Sequence, residues 1–407
     1  MRLRDYFPLG MASGAAFCNR TDETQLLVEN IKNGKHTLLI ATRRYGKSSL
    51  AMRAIQLSGF SYVETDFYMA TSDKIIESYI LNGVVELIGK ALGPIDKLIT
   101  SIKKYVKTLK PKLTIGTESF HLELHAEIDT DPATNIKEAL VLVEKLLAEK
   151  GKQAIFLMDE FQNVGAIAQG RGIEAAIRHA AQKTKYLTII FSGSNRKLLQ
   201  TMFEDENRPL YKLCWKLSLK RISAKHYYDH IQDVAQQTWK HPLNDESVGK
   251  IITLSERHSF YLNKLCDRLW TFHEKKPPTL NDIHLAWKHI LEEERSDAIK
   301  EISLLSSGQK AVLLQIAINP QSQLTSKPIL QDMNMTASSV TSALAGLEEK
   351  DVIERDEKEL LIISPVVKYY VLKGGTGLSH QKLEKSKGIW KEGEGLDYQN
   401  KLRDEWE

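Results

Sequence analysis

The first part of the chain alternates short apolar runs with stretches of helical periodicity. Four segments have the length of a strand: the apolar runs 37–40, 154–158 and 187–191, and the mixed segment 62–66. The segment that follows the first run, residues 46–57, has the apolar spacing of a helix. Apolar strands separated by helices are typical of a parallel sheet covered on both faces. The pattern therefore predicts an α/β fold built on a parallel sheet.

The pattern changes after residue 221. Residues 222–303 carry aromatic and leucine side chains at helical spacing, which predicts an all-helical region. Residues 304–372 begin with helical pattern and end with two strand-like runs, and three helices followed by a hairpin is the element order of a winged helix. Residues 373–407 are polar and rich in Lys and Glu, so we expect a flexible tail there. The first domain is then residues 1–221, with an insert at about 70–135.

Composition and charge are those of an ordinary globular protein. Of 407 residues, 42% are hydrophobic and 27% are charged, and this length suits two or three domains. The formal net charge of +4 permits a nucleic-acid partner without arguing for one. The 3 cysteines form no CxxC pair, which favours a reducing compartment. Because no apolar segment is long enough to cross a bilayer, we expect a cytoplasmic protein without a membrane partner.

The strongest chemical motif lies between the first strand and the first helix. It consists of Ala41, Thr42, Arg43, Arg44, Tyr45, Gly46, Lys47, Ser48 and Ser49. A strand, a loop ending in Gly-Lys-Ser and a helix are the context of a P-loop, whose backbone N–H groups and helix N-terminus bind phosphate. Lys47 would reach the β and γ phosphates, and Ser48 would place its hydroxyl on Mg²⁺. The usual motif begins with Gly, and Ala41 stands there instead.

A second motif follows at the end of a predicted strand. Residues 154–158 are apolar and are followed directly by Asp159 and Glu160. In a P-loop ATPase the first carboxylate holds the Mg²⁺ shell and the second acts as general base on the attacking water. The two motifs in this order predict binding of ATP with Mg²⁺ far more strongly than either does alone.

Small polar residues end the next predicted strand. Ser192, Ser194 and Asn195 follow its apolar run, and the carboxyl ends of parallel strands line the ligand crevice. We favour Ser194 as a contact to the γ-phosphate or to the attacking water. The alternative is that these residues cap the next helix, a frequent role of Ser and Asn.

Taken with these motifs, the chain resembles the archaeal-type STAND ATPases, a branch of the AAA+-related P-loop ATPases with a C-terminal winged helix. The resemblance covers roughly residues 15–370. Its markers here are the segments 17–23, 43–50, 159–162, 192–194 and 209–211. It implies a nucleotide-driven switch made of an ATPase core at 1–221, a helical lid at 222–303 and a winged helix at 304–372.

The resemblance also implies roles for three further residues. Arg20 belongs to an N-terminal box that packs near the adenine in this family. Where relatives carry an arginine finger after Pro-Leu-Tyr, this chain has Lys212-Leu213, and Arg208 is a substitute whose alternative is a surface arginine. In the lid only His258 survives from a Gly-His-Pro motif, so it would contact the nucleotide unless it is a packed or capping residue.

Other features leave alternatives open. His121, Glu123 and His125 alternate along a predicted strand, which suggests the wet face of a hairpin more than a zinc site. The basic stretch from Lys103 to Lys112 would either follow a phosphate backbone or form a solvated helix face. Residues 304–372 contain six Lys or Arg and eight Asp or Glu, a net charge of minus two, which argues against DNA as the partner.

We therefore expect an ATPase that converts ATP and water to ADP and phosphate and acts as a conformational switch. Its expected cofactors are ATP and Mg²⁺, its expected partner is a protein, and a nucleotide-dependent oligomer is a further expectation. Two alternatives remain: a DNA-acting initiator or transposition-type ATPase, and a scaffold that binds nucleotide without turnover.

Overall fold

The computed structural model describes residues 6–93, 98–106, 109–115, 120–126, 130–167, 171–320, 323–356 and 359–375. These residues belong to two compact units. The first comprises Met1–Leu243 with Leu262–Pro277, and the second comprises Asn244–Tyr261 with Pro278–Glu407. The tail predicted at residues 373–407 lies almost wholly outside the described residues.

The first unit is an alternation of strands and helices. Its strands are β1 (Thr37–Ala41), β2 (Ser61–Asp66), β3 (Leu109–Ile115), β4 (Phe120–Ala126), β5 (Ala154–Asp159), β6 (Leu187–Gly193) and β7 (Trp215–Leu219). Its helices are α1 (Thr21–Lys32), α2 (Lys47–Ser58), α3 (Asp73–Leu92), α4 (Ile99–Tyr105), α5 (Pro132–Lys150), α6 (Gln162–Ala166), α7 (Arg171–Ala181), α8 (Arg196–Glu204) and α9 (Ala224–Trp239).

The helical region continues with α10 (Asp245–Leu254), α11 (Ser259–Phe272), α12 (Leu280–Glu293) and α13 (Arg295–Ser303). After it come α14 (Ser307–Ile318), α15 (Lys327–Met333), α16 (Ala337–Glu349), β8 (Ile353–Asp356), β9 (Glu359–Ile362) and α17 (Pro365–Tyr370). In the second unit β8 and β9 pair antiparallel, so the described residues have the order of three helices and a hairpin. No helix among the described residues is both long and apolar enough to span a bilayer.

The parallel sheet predicted from the sequence is confirmed. Five strands lie in the order β2-β5-β6-β1-β7, and every neighbouring pair is parallel. Because β1 lies between β6 and β7, the chain after β1 must cross over to β2 at the far edge. This order brings the ends of β1, β5 and β6 together along one edge of the sheet.

Alternate residues of the central strands bury against opposite helical layers. Leu38 and Ile40 of β1 pack in a cluster with α3, α5 and α7, while Leu39 and Ala41 pack with α1 and α2. All residues of β1, β5 and β6 are buried. Burial on both faces explains why these strands read as uninterrupted apolar runs.

The basic stretch at residues 103–112 does not form one helix. Lys103 and Lys104 lie on α4, but Lys110 and Lys112 lie on β3, which pairs antiparallel with β4. The stretch is therefore no single helix face, because the chain changes from helix to strand within it. The side chains of His121, Glu123 and His125 lie outside the described part of the chain.

Candidate nucleotide site

The loop between β1 and α2 has the backbone shape that the motif predicts. Arg44 and Gly46 both adopt the left-handed conformation, with φ of 64° and 85°, and α2 begins at Lys47. No atom of the described residues beyond its chain neighbours lies within 4 Å of the position that a Cβ of Gly46 would take, so its positive φ rather than crowding requires glycine. The N–H of Tyr45 donates to the carbonyl of Thr42 at 3.2 Å, which closes the turn.

The strand-end carboxylates lie beside this loop. Asp159 is the last residue of β5, and Glu160 follows it in the left-handed region with φ of 49°. The N–H of Glu160 donates to Asp159 Oδ1 at 2.8 Å, and the N–H of Phe161 donates to the carbonyl of Ser192 at 2.9 Å. The first bond orients the Asp159 carboxylate, and the second fixes the end of β5 against the neighbouring β6.

Lys47 joins the two motifs. Its Nζ forms an ion pair with Asp159 Oδ1, lies 3.5 Å from Glu160 Oε1 and donates to Ser192 Oγ at 3.1 Å. The hydroxyl of Ser192 in turn donates to Asp159 Oδ1. The lysine and both carboxylates, far apart in sequence, therefore converge at the edge of the sheet where β5 and β6 end.

Neighbouring groups stabilise the negative charge of Asp159. Burial by itself would raise the pKa of Asp159, but the positive charge of Lys47 and hydrogen bonds from Lys47, Ser192 and the Glu160 N–H outweigh it and lower the pKa below its ordinary value. Asp159 is thus a carboxylate at neutral pH. Glu64 of β2 shows the opposite shift, because burial and the negative charges of Asp159 and Asp66 raise its pKa.

Two arginines from distant parts of the first unit hold the loop. The side chain of Tyr45 is only 1% exposed, and its hydroxyl accepts from Arg221 Nε at 2.8 Å. Arg20 donates to the carbonyls of Tyr45 at 3.3 Å and Lys220 at 2.6 Å, and pairs with Glu23 at 2.8 Å. Arg20 is therefore brought to the loop, and its predicted position near the adenine stays a prediction.

The other loop residues divide between buried and exposed positions. Ala41 and Thr42 are buried, whereas the side chains of Arg43 and Arg44 are exposed. Ser48 is half-buried at the second position of α2. The buried hydroxyl of Ser49 accepts from the N–H of Ala12 at 2.9 Å, so it holds the N-terminal segment against α2.

Ser194 lies beside the second carboxylate. Its hydroxyl donates to Glu160 Oε2 at 3.1 Å. The cap of α8 is Asn195, whose side chain accepts from the N–H of Leu198 at 3.0 Å. Of the two roles considered for these residues, capping thus falls to Asn195.

Arg208 pairs inside the first unit. Its guanidinium forms an ion pair with Glu174, a fully buried carboxylate on α7. Burial raises the pKa of Glu174, and the charge of Arg208 opposes that shift. Arg178 of the same helix donates to the carbonyls of Pro209 at 2.6 Å and Tyr211 at 2.8 Å, which fixes the segment after Arg208. A finger role for Arg208 stays a prediction.

His258 belongs to the second unit. Its ring is buried and lies edge-on to Tyr261 at 5.0 Å between centroids. Its predicted contact with nucleotide stays a prediction.

Comparison with known structures identifies the fold. A Walker-type ATPase of Pyrococcus abyssi superposes with a TM-score of 0.63 at 18% identity, covering 90% of this chain and 99% of that chain. The ORC2 protein of Aeropyrum pernix, solved as ADPNP-ADP complexes, gives a TM-score of 0.52 at 12% identity, covering 90% and 96%. The chain has the fold of the archaeal-type P-loop ATPases. No protein-family model matches the sequence, and comparison with curated proteins finds no match.

The P-loop ATPase fold accounts for the placement of the main motifs, yet the sequence does not single out two residues of the site, Ser192 and Arg221. The sequence favours Ser194 among the small polar residues at the end of β6, but the hydroxyl of Ser192 is the one that contacts both Lys47 and Asp159. Arg221 gave no local signal, because its partner Tyr45 is distant in sequence. For Ser192, the end of a buried strand next to an acidic strand end was the available signal.

Proposed function

We propose that this chain binds ATP with Mg²⁺, hydrolyses it, and uses the nucleotide state as a STAND or AAA+-type switch. The observation that carries the proposal is the convergence of Lys47, Asp159 and Glu160 beside a loop with left-handed residues at positions 44 and 46. A cation, a charged carboxylate and a second carboxylate at the end of parallel strands match the needs of phosphoryl transfer to water.

The loop and Lys47 would hold the phosphates. The N-terminus of α2, twelve residues long, directly follows the loop, and the N–H groups of its first turn and its positive dipole end would add to phosphate binding. Lys47 is now neutralised by Asp159 and Glu160. Binding a triphosphate would give Lys47 a more highly charged partner and release the two carboxylates for their own roles.

The donor set fits Mg²⁺. Asp159 remains charged because Lys47 and hydrogen bonds lower its pKa, and oxygen ligands of this type are those that Mg²⁺ prefers. Asp159 and the hydroxyl of Ser48 would hold the ion. When bound, Mg²⁺ supplies neutralisation of the charge that develops on the phosphate oxygens.

Glu160 would take the proton from the attacking water. It directly follows the metal-holding carboxylate, and Ser194 donates a hydrogen bond to its Oε2 at 3.1 Å. With Lys47 engaged by phosphate, Glu160 Oε1 would be the acceptor for a water proton. Ser194 would fix the carboxylate rather than contact the phosphate directly.

The remaining regions would respond to the nucleotide. We infer that residues 222–303 serve as the lid and residues 304–372 as a winged helix, as the helix order and the terminal hairpin suggest. Loss of the γ-phosphate would remove contacts that favour one arrangement of these regions. The net charge of minus two on residues 304–372 favours a protein as the partner.

The test compares phosphate release by the wild-type chain with that of Glu160→Gln and Lys47→Ala. We expect Glu160→Gln to lower turnover by about a hundredfold to ten-thousandfold while ATP still binds, since a positioned general base contributes that much. Lys47→Ala should weaken ATP binding itself. Glu86→Gln, an exposed change on α3, is the matched control.

Equal phosphate release from the wild type and Glu160→Gln would remove the hydrolytic role of Glu160. Failure of the wild type to bind ATP with Mg²⁺ would reject the whole proposal. Because the ORC2 protein was solved with ADPNP and ADP, those two nucleotides are the first to compare, and molecular size measured in each tests a nucleotide-dependent oligomer.

A further inference from the structure

Gln162 is a buried polar residue at the edge of the proposed site. It begins α6, and its side chain is 6% exposed. Its amide Nε2 donates a hydrogen bond to Glu160 Oε2. The opposite amide orientation would set two oxygens against each other, so the carboxylate fixes the orientation.

The rest of the Gln162 amide is poorly satisfied. Its Oε1 is buried, and no described residue donates a hydrogen bond to it. A buried acceptor without a partner is costly and calls for an explanation, whereas an apolar side chain of the same length would avoid the cost. Gln162 is therefore not explained by a contribution to the stability of the core.

The neighbouring strand leaves room for this side chain. Gly193 is the last residue of β6, and a Cβ there would overlap Gln162 Oε1 and lie 3.0 Å from Leu199 Cδ1. A substitution would thus push Gln162 away from its position. The Gln162 side chain on α6 can occupy its position beside β6 only because residue 193 has no side chain.

The carboxylate of Glu160 is divided between two sets of neighbours. Oε2 accepts from Gln162 Nε2 and from Ser194 Oγ at 3.1 Å, while Oε1 lies 3.5 Å from Lys47 Nζ. We propose that Gln162, in the space left by Gly193, is the positioning residue that holds Glu160 by Oε2 and thereby leaves Oε1 as the oxygen that faces the attacking water.

This inference rests on the proposed function, in which Glu160 is the general base. Two donors on Oε2 restrict rotation of the carboxylate about its last torsion, and they remain when Lys47 turns to the phosphates. A base held in one orientation contributes more to the rate than one that must be ordered in each turnover. Gln162 touches neither phosphate nor water in this account, so it acts only through Glu160.

The experiment uses the full chain with Gln162→Met, which keeps length and removes both polar atoms. We expect kcat for phosphate release to fall about ten to a hundredfold, the equivalent of one hydrogen bond to a charged group. KM for ATP and the affinity for ADPNP should stay within about twofold, because phosphate-binding groups are untouched. The melting temperature should be unchanged or higher, because a buried orphan acceptor is gone.

A purely structural role gives a different result. In that case Gln162→Met lowers the melting temperature and leaves kcat of the folded protein near the wild-type value, which overturns the inference. Gln200→Met, the same change at an exposed position of α8, is the control and should alter neither quantity. If Glu160→Gln leaves turnover intact, the general base itself is misassigned, and the inference fails together with the proposed function. If Glu160→Gln abolishes turnover while Gln162→Met does not lower it, the inference alone fails.

A double-mutant cycle tests the link to Gly193. Gly193→Ala should lower kcat in the wild-type background, since it displaces the glutamine. In a Gln162→Ala background the same change should have little further effect, because no amide remains to be displaced. Independent, additive effects of the two changes would contradict the proposed arrangement.

Discussion

His36 is a buried histidine whose two ring nitrogens both bind backbone groups. Nδ1 accepts from the N–H of Ile189 at 3.0 Å, and Nε2 lies 3.0 Å from the carbonyl of Ala181. This pairing defines the neutral tautomer with its hydrogen on Nε2, since an acceptor is needed at Nδ1. Burial lowers the pKa of His36, opposed by the hydrogen bond to Ala181 and the charge of Glu144.

The lowered pKa predicts a loss of stability in mild acid. Below an unfolded pKa of about 6.5 the unfolded chain binds a proton at His36 that the folded chain does not, so the free energy of unfolding falls as pH decreases. The expected slope is at most about 1.4 kcal/mol per pH unit for this residue. His230, whose pKa burial also lowers, adds a slope of the same sign.

Chemical denaturation between pH 7.5 and 5 measures this slope. His36→Gln should be less stable at neutral pH but should show a shallower decline toward acid. His241→Gln, at an exposed position, should keep the wild-type slope. An unchanged slope in His36→Gln would show that His36 does not titrate differently in the two states.

At the scale of single residues, the sequence predicted what depends on local chain geometry. Gly46, Lys47 and the pair after β5 belong to contiguous segments, and a strand, a tight turn and a helix fix their relative positions. The contacts of Arg20 and Arg221 with Tyr45 could not be predicted, because they depend on how β7 and the N-terminal segment approach the loop. Contacts of this kind leave no periodic pattern or fixed spacing in the sequence from which they could be predicted.

The same distinction holds for the elements. The runs predicted at 37–40, 154–158 and 187–191 are strands in the structure, and each extends one or two residues beyond the prediction. The fifth strand, β7, was not predicted. β7 lies at an edge of the sheet and alternates apolar with polar residues, and three of its side chains are exposed: Trp215, Lys216 and Ser218. It therefore carries no uninterrupted apolar run like those of the central strands.

One carboxylate on α5, that of Glu144, holds the start of β6 by hydrogen bonds to the backbone. Glu144 Oε1 accepts from the N–H of Lys185 at 2.8 Å, and Oε2 accepts from Tyr186 at 3.1 Å and Leu187 at 2.8 Å. These three N–H groups precede or begin β6. Charged acceptors of this kind form stronger hydrogen bonds than neutral ones.

We predict that Glu144→Ala destabilises the first unit by about 2 to 3 kcal/mol, because several backbone donors lose a charged acceptor at once. Thermal and denaturant unfolding measure the change. Glu86→Ala removes an exposed carboxylate that pairs with Lys90 on α3, and we expect a change of less than about 1 kcal/mol. Similar losses in the two variants would mean that the strand N–H groups find water as readily as Glu144.

At the scale of the whole molecule, the choice of partner is a question of charge. The exposed start of α16 presents four hydroxyl side chains: Ser338, Ser339, Thr341 and Ser342. Within residues 337–350 the one cationic residue is Lys350, at the C-terminal end of the helix. Hydroxyl groups can contact bases, but counterion release by cations supplies most non-specific DNA affinity. With a net charge of minus two over residues 304–372, this region lacks that contribution.

We therefore predict that the full chain binds duplex DNA no more tightly than a dissociation constant of about 10⁻⁶ M at physiological salt, with a shallow dependence on salt. Fluorescence anisotropy at several salt concentrations measures both quantities, with ATP and with ADP present. The double variant Ser338→Arg with Ser342→Arg adds two cations to the exposed face of α16 and should steepen the salt dependence if that face reaches DNA. Nanomolar, strongly salt-dependent binding by the wild type, with DNA-stimulated phosphate release, would instead support a DNA-acting ATPase, since only direct engagement of the backbone produces both effects.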